Sequence, residues 1–230
     1  EVYMPRNNNS RLKVQDKGET PPQTTSSLLN FVIPTEFIEL PTQGKFYPSD
    51  HPLHNAETVE MRYMTAKETD ILTSTSLLKK GVAVDRMLES LFVDKNIKAS
   101  QLFIGDKNAL MVGTRVLGYG KDYVVSITDP DTGLEVEHSF DLTAMKHTKF
   151  NSKLFTPGEN KFEYTLPNSK RKLEFKLLTH KDERAIDSEL KAIEKLTKVT
   201  GVDKTLTTRL KKQIISVDGE TDVMKINDFV

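Results

Sequence analysis

The chain has 230 residues, 33 basic side chains balanced by 33 acidic ones, no cysteine, no tryptophan and 7% aromatic residues. A net charge of zero argues against a surface made chiefly for nucleic acid, because neutralising phosphates needs an excess of lysine and arginine. Without cysteine there is no disulfide or thiolate metal site, and no apolar run approaches the roughly 20 residues that cross a bilayer.

Residues 1–30 carry Asn7-Asn8-Asn9, Pro21-Pro22 and a Thr-Thr-Ser-Ser run, with few apolar side chains to offset the entropy of ordering. They are expected to be a flexible tail or one held by a partner. Thr35–Leu40 alternates and reads as a strand, followed by a turn-rich loop, PTQGKFYP at Pro41–Pro48. Thr58–Met64 alternates again as a second strand. Thr65, with Glu68 three residues on, has the spacing of a capping box, so a helix is expected over about 66–74. Apolar residues at 84, 87, 88, 91 and 92 trace the buried stripe of another helix. A third helix opens near Asp106 and stops at Gly118 and Gly120. Tyr123–Thr128 and Leu134–Asp141, joined by Asp-Pro-Asp-Thr-Gly, form a β-hairpin. After a connector come strands at Phe162–Leu166 and Lys172–Leu178. Thr179 caps a helix reaching about Thr197 or Val199, with Ala185, Ile186, Leu190, Ile193 and Leu196 on one face. A further helix is read over Asp203–Ile215.

The chain also echoes itself. VEMRYMTAKETDIL at Val59–Leu72 parallels LEFKLLTHKDERAI at Leu173–Ile186. A Leu-Pro step precedes each (Leu40-Pro41, Leu166-Pro167), and a Leu-Lys-Lys triplet follows each (Leu78–Lys80, Leu210–Lys212). A Val-Asp pair comes after both. The fold class expected is therefore α+β: two related modules, each a small antiparallel sheet with helices packed on it. The first module is placed at 31–144, a connector at 145–160 and the second module at 161–230. The second lacks a counterpart of Asp106–Tyr119, so the sequence reads as a fragment.

Motifs for chemistry are thin. No nucleophile elbow, zincin motif, P-loop or dinucleotide fingerprint is present, and neither catalytic residues nor a cofactor is expected. His51 and His54 with Asp50 suggest a metal-dependent hydrolase, but a metal needs three or four convergent ligands and no other ligand-rich segment answers them. Asp129-Pro130-Asp131 lacks the register of a calcium loop. Ser169–Lys172 (SKRK) reads as a solvated turn, and His180 as a solvent-facing residue in the first turn of its helix. Phe46 and Tyr47 stand between prolines on an expected surface turn, where rigid exposed aromatics would anchor a protein partner. Tyr119 and Tyr123 are lesser candidates, and Phe31 and Phe37 would join if the tail docks.

Four phrases carry a family resemblance: LPTQGKFYP at Leu40–Pro48, EMRYMTAKETDILTS at Glu60–Ser74, LLKKGVAVDRML at Leu77–Leu88 and GDKNALMVGTRVLGYGKDY at Gly105–Tyr123. The chain resembles the baseplate hub subunits and hub assembly proteins of T4-type contractile-tailed bacteriophages, closely over Glu39–Leu142 and more loosely at Thr207–Gly219. Relatives are expected to carry a C-P-x-C phrase where this chain has Asp129–Gly133, so hairpin chemistry alone must hold the turn here. The resemblance implies a non-enzymatic role in the baseplate hub and sequence beyond Val230. The implied partners are other hub or tail proteins, the tape-measure protein or further copies of the chain, with no nucleic acid and no membrane. It places the protein in the virion tail baseplate or, during assembly, in the host cytoplasm. A tail-assembly chaperone absent from the finished particle is the alternative.

Overall fold

A computed structural model describes residues 33–148, 150–197 and 204–230, the side chains of residues 196 and 197 excepted. The N-terminal tail, Phe31, residues 198 and 199 of the expected long helix and the side chain of Leu196 lie outside what is described. The architecture is α+β, with three small antiparallel sheets.

The first sheet pairs β1 (Thr35–Glu39) with β2 (Thr58–Arg62), Phe37 opposite Glu60 and Ile38 opposite Val59. β2 runs into α1 (Ala66–Thr73). A capping box closes there, the Glu68 carboxylate accepting from the Thr65 N–H at 2.9 Å and hydroxyl at 2.6 Å. The short α2 (Thr75–Lys79) and then α3 (Ala83–Leu91) follow, and Phe92 bridges back to Met61 of β2. α4 (Ile104–Tyr119) lies on the core face of this sheet, with Gly113 against the Ile38 side chain. It ends at Gly120, whose φ of 83° needs a glycine.

β3 (Asp122–Thr128) and β4 (Glu135–Asp141) form a two-stranded ribbon. Its tip is tied by Asp129, whose carboxylate accepts from the Asp131 N–H and the Thr132 hydroxyl, both at 2.9 Å. β5 (Phe162–Thr165), β6 (Lys172–Phe175) and β7 (Ile214–Val217) make the third sheet in that order. α5 (His180–Thr197) and α6 (Thr205–Gln213) lie between β6 and β7, and α7 (Val223–Phe229) follows. On α5, Ile186 is buried and Leu190 half-buried, whereas Ala185 is exposed.

Both stretches run strand, Leu-Pro, strand and capped helix, but in the first two more helices follow before Phe92 makes a single bridge to β2, whereas in the second one more helix leads into β7, a strand paired with β6. Thr179 repeats the Thr65 contact, its N–H and hydroxyl meeting Asp182 at 2.9 and 2.8 Å. The later echo phrases do not correspond. Leu78–Lys80 lies at the end of α2, whereas Leu210–Lys212 lies in α6 just before β7. The expected helix over Asp203–Ile215 also requires correction, because Ile214 and Ile215 open β7. Local periodicity cannot separate a short buried strand from a last helical turn, and pairing with β6 decides it.

One continuous core joins Leu40, Val59, Met61, Leu88, Leu91, Phe92, Leu102 and Leu110 with residues of the loop between β1 and β2. Each large aliphatic side chain buried there is worth about 1.5–3 kcal/mol. The third sheet attaches through backbone: Ile104 N–H donates to Leu178 C=O at 3.2 Å, and His180 N–H to Leu102 C=O at 2.9 Å.

Candidate functional site

The loop Pro41–Pro48 is held from beneath by one buried carboxylate. Asp106, in the first turn of α4, is fully buried. It accepts from the Thr42 N–H at 3.0 Å, the Thr42 hydroxyl at 2.6 Å and the Tyr47 hydroxyl at 2.8 Å. The Tyr47 oxygen in turn accepts from the Phe103 N–H at 3.1 Å. Burial pushes the Asp106 carboxyl up from its ordinary range, against the opposing pull of these donors. Burial, and then the neighbouring carboxylate, raise the Tyr47 phenol as well.

Phe46 and Tyr47 therefore do not stand on a surface turn, which corrects the expectation of exposed anchors there. They are 5% and 1% exposed. The Phe46 ring lies 5.6 Å from Phe150, 5.4 Å from Phe155 and 5.0 Å from Phe162, so it pins the connector and β5 to the first half of the chain. No local pattern reveals this cluster, since its members are spread over more than a hundred positions.

His51 and His54 serve the same loop. The His51 ring stacks on Tyr47 at 4.4 Å, and its Nδ1 accepts from the Leu53 N–H at 3.1 Å. Burial lowers its pKa, with Asp50 opposing. His54 donates from Nδ1 to the Tyr47 carbonyl at 2.7 Å. Among the described residues, no group of three His, Asp or Glu side chains is placed to hold a metal.

A second polar cluster lies where α3, α4 and α5 meet. Lys107 reaches Asp85 at 2.6 Å, His180 Nε2 lies 3.0 Å from the same carboxylate, and Arg184 lies at 3.7 Å. His180 is thus not solvent-facing, as its place in the repeat suggested. Its partner lies 95 residues away, a pairing that no local pattern reveals.

The remaining candidates are on the outside. Tyr119 ends α4 and is 55% exposed, and Tyr123 opens β3 at 45%. The Arg115 guanidinium lies over both rings, at 5.0 and 5.8 Å, and bonds the Gly120 and Asp122 carbonyls, fixing the root of the ribbon. Beyond it, Tyr123, Val125 and Ile127 face Phe140, His138 and Val136 in register, so these six side chains share one face. Phe37 is exposed on the opposite side of β1 from the core. It borders an apolar groove of about 660 Å³ with Val112, Val116, Leu142, Met145 and His147. The structure does not bring Phe46 and Tyr47 together with Tyr119, Tyr123 or Phe37 into one surface.

A body built of small antiparallel sheets and helices, whose buried polar groups hold its own loops, is that of a small α+β protein. The chain belongs to the T4 bacteriophage base plate protein family, whose model matches residues 33–230, and it is a structural or assembly component of a phage tail baseplate. No curated protein and no solved structure matches it. No helix among the described residues is long and apolar enough to cross a membrane.

Proposed function

We propose that this protein is a non-enzymatic subunit of the baseplate hub, made late in infection, that works by recognising other proteins. The observation that carries this reading is the β3–β4 ribbon. Tyr123, Ile127, Val136 and Phe140 lie on one face and are 45%, 41%, 53% and 45% exposed. A two-stranded ribbon is marginal by itself in water, and an uncovered apolar face of this kind marks a contact surface. Tyr119 and Tyr123 at its root are the anchors, with Phe37 contributing from the groove. The partners are other hub or tail proteins, the tape-measure protein or further copies of the chain, met first in the host cytoplasm.

The same reading treats residues 31–144 and 161–230 as related modules joined by a connector at 145–160. It is supported by the two strand-strand-helix successions, β1-β2-α1 and β5-β6-α5, each with a threonine cap.

Quantitative mass spectrometry of purified particles tests the proposal. A fixed copy number that is a multiple of three or six is the expected result. Absence from the particle, with abundance in infected cells, would overturn it in favour of an assembly chaperone.

A further inference from the structure

The ribbon has a second asymmetry, between its two edges. Leu142 N–H donates to Lys121 C=O and Asp129 N–H to Leu134 C=O, both at 2.9 Å. With the register, these bonds direct the backbone of residues 123, 125 and 127 towards β4, and that of residues 136, 138 and 140 towards β3. The N–H and C=O groups of Glu135, Glu137 and Ser139 consequently point outward along the free edge of β4. Among the described residues, none bonds to them. On β3 the corresponding edge is obstructed at its root, because Arg115 reaches the Asp122 carbonyl at 3.5 Å.

Charge is segregated on the same ribbon. Residues 121–142 hold six carboxylates and a single lysine, in a chain whose net charge is zero. Four of the acids, Asp122, Glu135, Glu137 and Asp141, fall on the face opposite Tyr123 and Phe140, three of them on β4 itself. A second copy adding to β4 would set carboxylates against carboxylates, which disfavours that pairing. A strand with lysine or arginine at alternate positions would set each cation beside Glu135, Glu137 or Asp141. Its intervening apolar residues would then cover Val136, His138 and Phe140.

Resting on the contact role proposed for the ribbon, we infer that the free edge of β4 receives an extended strand of a partner protein in which apolar and basic residues alternate. Backbone bonds to Glu135, Glu137 and Ser139 supply the attachment, and the two faces of the ribbon supply the selection.

The test uses the full chain and three synthetic ten-residue peptides, alternating valine with lysine, valine with glutamate, and serine with lysine. Binding is followed by calorimetry at moderate salt. The valine–lysine peptide is expected to bind at least about tenfold tighter than either of the others, since it alone satisfies both faces. Ser139→Pro removes an outward N–H of β4 and should abolish binding, while Ser126→Pro on the other edge should leave it intact. The paired change Glu135→Lys with Glu137→Lys leaves the backbone edge free and should reverse the preference towards the valine–glutamate peptide, whether or not the proline variant keeps its hairpin. Equal binding of all three peptides, or binding that survives both the proline and the charge reversal, overturns the inference. Incorporation into particles separates this from the broader reading. If Tyr123→Ser with Phe140→Ser is excluded while the charge-reversed variant incorporates normally, strand addition fails and the ribbon contact stands. If Tyr123→Ser with Phe140→Ser incorporates normally, both fail.

Discussion

His180 Nε2 lies 3.0 Å from Asp85 Oδ2, and the same carboxylate holds Lys107 at 2.6 Å, so one acid joins α3, α4 and α5. Burial would raise the Asp85 pKa, but the hydrogen bonds and charges of Lys107 and His180 outweigh it and hold the group below the ordinary aspartate range. A carboxyl depressed by folding contributes stability above its unfolded pKa and loses it as pH falls through the folded value. Asp85→Asn leaves the Lys107 ammonium, 9% exposed, without its counter-charge, and is expected to cost about 3–5 kcal/mol near neutral pH. The difference from the wild type should shrink as both are acidified through and below the ordinary aspartate range. Urea denaturation across that range measures it, and two parallel pH curves would contradict the assignment.

Tyr47 and Phe46 predict losses of stability rather than of binding. Tyr47→Phe deprives the Phe103 N–H of its acceptor and Asp106 of a donor, in a site closed to water, and should cost about 1–3 kcal/mol. Phe46→Ala empties the centre of a four-phenylalanine cluster and should cost about 3–5 kcal/mol. Chemical denaturation reads both. A variant that kept wild-type stability while losing only assembly would return these rings to the surface.

How far the sequence reveals this molecule depends on whether the causes are local. Thr65 with Glu68, Thr179 with Asp182, the stripe of α3 and the Asp-Pro-Asp-Thr-Gly turn are each decided within a few residues, and the elements they announce are present. β7 is hidden because Ile214 and Ile215 continue the helical pattern that precedes them and become strand only beside β6. The candidate site divides in the same way. The Asp-Pro-Asp-Thr-Gly turn makes the ribbon that carries Tyr123 legible, because its chemistry is complete within five residues. Phe46 and Tyr47 could not be oriented, because the groups that draw them inward, Asp106 and the phenylalanines at 150, 155 and 162, lie far along the chain.

Gly44 is the position where the loop tolerates no side chain. Its φ is +67°, and a Cβ there would lie 2.4 Å from both the Ala56 nitrogen and the Leu53 carbonyl oxygen, which are backbone atoms. Gly133 has a similar φ of +70° but open space around it. Gly44→Ala should therefore destabilise by about 2–3 kcal/mol through overlap and strain together, whereas Gly133→Ala should cost only about 1 kcal/mol. Equal losses at the two sites, measured by thermal and chemical unfolding, would mean that the loop can move away from Leu53 and Ala56.

Asp141 closes the root of the ribbon. Its carboxylate accepts from the Thr143 hydroxyl at 2.5 Å and N–H at 2.9 Å, and meets Lys121 at 3.0 Å. The Thr143 hydroxyl, then Lys121, then the Thr143 N–H hold its pKa down to about 2. Because folding lowers this pKa, the contribution of the group is present above the ordinary aspartate range and is lost only as pH falls towards about 2. Carboxyl NMR should find Asp141 among the last acids to protonate. Thr143→Val removes the strongest of its donors and should move it up more than Lys121→Met does, since a charge on an exposed lysine is screened by solvent. The reverse order would assign the root of the ribbon to the ion pair. In that case raising the salt concentration, rather than removing a hydroxyl, would be the way to loosen the ribbon from the body.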